Sequence, residues 1–148
     1  MATTYQSTDV TTGYGVSARS GIGIVSRTKT HTNTVAYVVN DVIEMIKIPK
    51  GATVLDVKLA SDDIDGGSNL TLSVGDGSVV DRYIKDSTVG QAGGVAVYGS
   101  GVSGAMGNAV NLGYTYTADD TIDVKVTTAP ASDGIGSITL TVLYTMDE

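Results

Sequence analysis

The stretch "GSITLTVLYTM", Gly136–Met146, decides the fold. Ile138, Leu140, Val142 and Tyr144 occupy alternate positions, with Thr139, Thr141 and Thr145 among the residues between them. A period of two puts the apolar set on one side of an extended chain and the threonines on the other. That is the signature of a strand with one buried face. Upstream, "TIDVKVTT" repeats the pattern with Ile122, Val124 and Val126. "NLTLSVG" places Leu70, Leu72 and Val74 inward and Thr71 and Ser73 outward, and "TVLDVKLAS" sets Leu55, Val57 and Leu59 against Asp56 and Lys58. "TVAYVVNDVIEMIKI" is rich in β-branched residues and is cut by Pro49–Gly51. It reads as one long strand or as two short ones joined near Asn40–Asp41. "APASDGIG", Ala129–Gly136, has the turn chemistry of a hairpin loop between the last two strands.

The remaining body segments are less regular. "SVVDRYIKDSTV" fits a strand or a helical turn. The glycines of "GQAGGVAVYGSGVSGAMGNAV" argue against a helix and favour a loop holding a short strand, a contact loop by its length. No stretch carries a sustained helical period. About seven to nine short strands with turn signals between them predict an all-β sandwich, jelly-roll-like rather than immunoglobulin-like. Strand order is not readable from pattern.

Residues 1–34 differ from the rest. "TTGYGVSARSGIGIVSRTKTHTNT" has no sustained apolar period, yet Tyr5, Tyr14, Ile22, Ile24 and Val25 are too apolar for a plain linker. The expected organisation is an extended N-terminal arm, 1–34, and a β-sandwich body, 35–148. The arm carries Arg19, Arg27 and Lys29 against Asp9, whereas the whole chain has a net charge of −7. A mildly basic arm on an acidic body is suited to lie on another copy of that body. Tyr14, Ile22, Ile24 and Val25 are expected to bury on a neighbour, and Arg19, Arg27 and Lys29 to pair with its acidic groups. On this reading, deletion of residues 1–30 removes partner binding and leaves the body folded.

Composition excludes several classes of chemistry. There is no cysteine, hence no disulfide, thiolate metal site or cysteine nucleophile. The acidic body repels nucleic acid phosphate. No basic-then-apolar leader and no membrane-length apolar run is present, so a soluble cytoplasmic product is expected, with no membrane partner.

"SDDIDGG", Ser61–Gly67, prompts a test for calcium. With Gly66 at position 6 of an EF-hand loop, Ser61, Asp63 and Asp65 fill positions 1, 3 and 5, but Leu72 falls where the closing Glu is required. A tight turn needs the same Asp and Gly residues, and the turn is preferred. Asp76, Asp81 and the "ADD" of Ala118–Asp120 read as surface turns, with Asp81 in reach of Arg82 or Lys85. His31, the sole histidine, cannot make a His-rich metal site, and no G-x-S-x-G elbow or Walker loop accompanies it. Catalytic, cofactor and metal sites are therefore expected to be absent, as is a small-molecule substrate. Tyr114 and Tyr116 share one strand face, suited equally to a core and to a sugar or protein contact.

The run "VNDVIEMIKIPKGATVLDVKLASDDIDGGSNLTLSVGDGSVVDRYI", with the later "YTYTADDTIDVKVT" and "GSITLTVLYT", resembles small head proteins of tailed bacteriophages, commonly capsid decoration or cement proteins. The resemblance spans roughly residues 35–148. It implies a body that associates, often as a homotrimer, with the major capsid protein and copies of itself. Such a protein sits on the outer surface of the virion, assembled in the bacterial cytoplasm, and braces capsomer joints. The alternative is a head-fibre, tail or carbohydrate-binding sandwich that contacts the host surface through Tyr114, Tyr116 and the Gly-rich loop.

Overall fold

The computed structural model describes residues 2–7, 23–99 and 113–146. Among the described residues, nine strands run in chain order: β1 (Thr4–Gln6), β2 (Ile24–Thr32), β3 (Val42–Ile48), β4 (Ala52–Ser61), β5 (Thr71–Gly75), β6 (Ile84–Ser87), β7 (Gly94–Val97), β8 (Asp120–Thr128) and β9 (Ser137–Met146). A short 3-10 turn, Val89–Gln91, precedes β7. The strands form two sheets, ordered β1-β3-β8-β5-β6 and β2-β9-β4-β7.

Antiparallel pairing is nested: β2 with β9, β3 with β8, β4 with β7 and β5 with β6. This is one long hairpin rolled across two sheets, the jelly roll. β1 stands outside the roll and lies parallel to β3 at the sheet edge.

Alternation produces the core as expected on most strands. Leu70, Leu72, Val74, Ile122, Val124, Val126, Ile138, Leu140 and Val142 are all fully buried between the sheets. Burying each such side chain contributes about 1.5–3 kcal/mol.

Four local expectations change. A register shift between Val54 and Asp56 on β4 inserts an extra residue opposite β9. Val54 then points inward and Leu55 outward, 36% exposed, before Val57 and Leu59 resume the inward positions. Ser73 is buried on the outer face of its sheet, where its hydroxyl accepts the Asp86 N–H at 2.9 Å. Only Val42–Ile48 of the Thr34–Ile48 run is strand, and Tyr37 enters the core from a loop. "APASDGIG" is not a hairpin: β8 and β9 belong to different sheets, and the segment crosses between them with Asp133 and Gly134 at φ 62° and 70°.

The boundary drawn at residue 34 is not a boundary of the fold. β2 pairs with β9 along all nine of its residues, from Ile24 opposite Thr145 to Thr32 opposite Ser137. It lacked the expected period because its inward set is Val25, Arg27, Lys29 and His31, a mostly basic row. Hydropathy alone does not mark such a strand.

Candidate functional site

The residues expected to meet a partner through the arm fall into two groups. Tyr14, Arg19 and Ile22 lie outside the described residues. Ile24, Val25, Arg27 and Lys29 lie on β2, but not on one surface. Ile24 is exposed on the outer face of its sheet, Val25 packs against the core, Arg27 is buried and Lys29 is half-buried. His31 also points inward, where its ring lies 5.5 Å from Tyr5 and 6.5 Å from Tyr37. Burial lowers its pKa below the ordinary histidine value.

The acidic loop after β4 is a structural pin. Asp65 accepts hydrogen bonds from the backbone N–H groups of Gly67, Asn69 and Leu70 at 2.7–2.9 Å. It also accepts from Ala131 at 2.8 Å and Ser132 at 3.3 Å, in the crossing between β8 and β9. Burial raises the Asp65 carboxyl, but the N–H groups of Leu70, Asn69, Gly67 and Ala131 outweigh it and hold it well below the usual carboxylate range. Asn33 ties a third crossing to the same place: its amide donates to the Val35 and Gly134 carbonyls, and its oxygen accepts from Gly136 N–H. With the Asp65 carboxylate committed to amides, the turn reading of "SDDIDGG" is the one the geometry supports. Among the described residues, no three His, Cys, Asp or Glu side chains gather in a way that could hold a metal ion.

The opposite end carries a buried polar network. Asp76 and Arg82 form an ion pair at 2.6 Å with both side chains almost fully buried. Tyr116 donates to Asp76 at 3.1 Å and shares a 2.8 Å hydrogen bond with Tyr83. The Arg82 guanidinium lies 3.7 Å over the Tyr114 ring, which meets Tyr116 edge-on at 5.0 Å. Burial alone would raise the Asp76 carboxyl; the Arg82 bond and the Val79 amide hold it below its ordinary value. Burial pushes the Tyr83 and Tyr116 hydroxyls upward. The tyrosine pair is thus built into the fold, with one ring buried and the other faced by arginine. Asp81 pairs with Lys85 at 3.7 Å, at the surface.

On the outer face of the five-stranded sheet, Asp123 and Glu44 stand directly opposite each other on β8 and β3. Gly75 is the β5 neighbour of Asp123, and a Cβ there would meet the Val79 carbonyl at 2.0 Å. The Asp76–Val80 loop folds tightly over that position. One Asp123 oxygen is buried without a hydrogen-bond partner. Burial pushes the Asp123 carboxyl up to about 7; the Thr121 hydroxyl opposes this, and the Glu44, Asp120 and Asp76 carboxylates add to it.

The outer face of the four-stranded sheet is rich in hydroxyls and also carries the exposed Lys58–Asp56 ion pair of β4 at 3.8 Å. Hydroxyl pairs cross it: Thr28 with Thr141 at 2.9 Å, Thr30 with Thr139 at 2.7 Å, and Thr32 with Ser137 at 2.8 Å. Val95 and Val97 flank it, 64% and 47% exposed. At the end with the three crossings, Val35, Val38, Val39 and Ile135 are exposed as well. Exposed apolar residues gathered in this way are the kind of surface that meets other protein.

No protein-family model and no curated protein matches the chain. Solved structures do. A chain of the capsid of Ralstonia phage GP4 is 25% identical, with 98% of this chain and 99% of that one aligned at a TM-score of 0.78. A chain of the cyanophage Pam1 capsid asymmetric unit is 25% identical over 90% and 91%, at a TM-score of 0.70. A chain of the acidic stable capsid of the Helicobacter pylori bacteriophage KHP30 shares the fold at 18% identity and a TM-score of 0.55.

Proposed function

We propose that this chain is a virion structural protein without enzymatic activity, a decoration or cement protein on the outer surface of a bacteriophage head. The observation that carries the reading is the match along nearly the whole of both chains to a component of the GP4 phage capsid. The threonine-rich face and the exposed valines supply surface for packing against major capsid protein and against further copies, as a homotrimer. A cement role needs no reactive centre: its strength comes from many copies of one modest interface repeated over a shell.

The test uses shells of the cognate major capsid protein expressed without this chain. Shells are expected to assemble alone, to co-sediment with the purified chain once it is added, and to withstand higher temperature with it bound. Shells that cannot form without the chain would make it a lattice-building subunit. Intact shells that leave it in the supernatant would remove the capsid role.

A further inference from the structure

The slot that holds β1 is built from β2, β3 and the loop between them. Asp41 accepts the Thr3 N–H at 2.6 Å, and the Val42 N–H donates to the Thr3 carbonyl at 3.0 Å. The Glu44 carbonyl accepts the Ser7 N–H at 2.9 Å, its carboxylate accepts the Gln6 amide at 2.6 Å, and the Met45 carbonyl accepts the Ser7 hydroxyl. Tyr5 meets Tyr37 edge-on at 5.9 Å and lies against His31. Nothing in these contacts depends on which chain supplies residues 2–7.

Residues 8–22 join β1 to β2. Fifteen residues reach at most about 50 Å when extended, enough to leave one molecule and enter the next. Effective concentrations across linkers of about that length are on the order of millimolar, so neighbours present at similar local concentration compete on equal terms with a chain's own strand. We propose that the β1 slot of one copy accepts residues 2–7 of a second copy, so that copies join by strand exchange. Every contact is reproduced in the exchanged form because donor and acceptor sequences are the same.

The chain has no cysteine, so introduced thiols report unambiguously. Gln6 and Glu44 are opposite in the β1–β3 register. Chains carrying Gln6→Cys are mixed with chains carrying Glu44→Cys at millimolar concentration and oxidised. A 6–44 disulfide between different chains is expected, identified by peptide mass, rising with concentration and well above a control with Thr117→Cys in place of Glu44→Cys. A second measurement does not depend on disulfide geometry. A nitroxide on Gln6→Cys should broaden the amide signals of Val42–Met45 in an isotope-labelled, otherwise unaltered chain. If that broadening is absent, exchange is overturned, whatever the disulfide yield. Neither measurement involves a capsid, so failure here leaves the capsid proposal standing.

Discussion

Asp65 stabilises by accepting amides from two loops that are distant in sequence, so its removal unties both. Asp65→Ala is expected to lower Tm markedly at neutral pH. Its folded pKa is depressed, so its contribution is present above the unfolded value of 3.8 and is lost only as pH falls through the lower folded value. Calcium or a chelator is expected to leave the wild-type Tm unchanged, and a rise with calcium would reinstate the cation reading.

Asp123 has the opposite sign. Its pKa is raised from 3.8 to about 7. Between those values the folded state holds a proton that the unfolded state has lost, so stability falls as pH rises through that window and then levels off. Asp123→Asn should match wild type near pH 4 and exceed it by about 1–3 kcal/mol above pH 7, read from urea midpoints. Wild-type stability that is flat from pH 4 to 8 would contradict this. Arg82→Ala should cost about 3–5 kcal/mol, because Asp76 stays buried without its counter-charge.

At the scale of elements, β2 shows how a strand escapes a hydropathy reading. Its outward positions are Ile24, Ser26, Thr28, Thr30 and Thr32, and its inward row is mainly basic, so neither face is apolar enough to register. The pairing with β9 is nonetheless complete. Deletion of residues 1–7 is therefore expected to leave a folded protein by circular dichroism and NMR. Deletion of residues 1–30 strips most of β2, exposes the β9 edge and should give an unfolded or aggregating chain. This replaces the expectation that the body survives the longer deletion. The β4 bulge has a related lesson: one extra residue turned Leu55 outward while leaving Val57 and Leu59 where alternation put them.

At the scale of the molecule, a homotrimeric cement protein should sediment in solution at three times the 15.1 kDa chain mass. A monomer at all concentrations would remove the trimer. Alternation along single runs was enough to establish an all-β sandwich and most of its core, because burial on one face of a strand is a local property with a period of two. That "SDDIDGG" would form a turn was also legible locally, since Asp and Gly are the residues a tight turn needs, and Asp65 caps the backbone there. Which strands pair was not legible, nor that "APASDGIG" crosses between sheets, because Asp-Gly turn chemistry is identical in a hairpin and a crossing. The network of Asp76, Arg82, Tyr83, Tyr114 and Tyr116 joins residues up to forty positions apart, as Tyr116 and Asp76 are. Only the nested roll brings them together, because long-range pairing sets which side chains share a buried space, and local pattern carries no record of it.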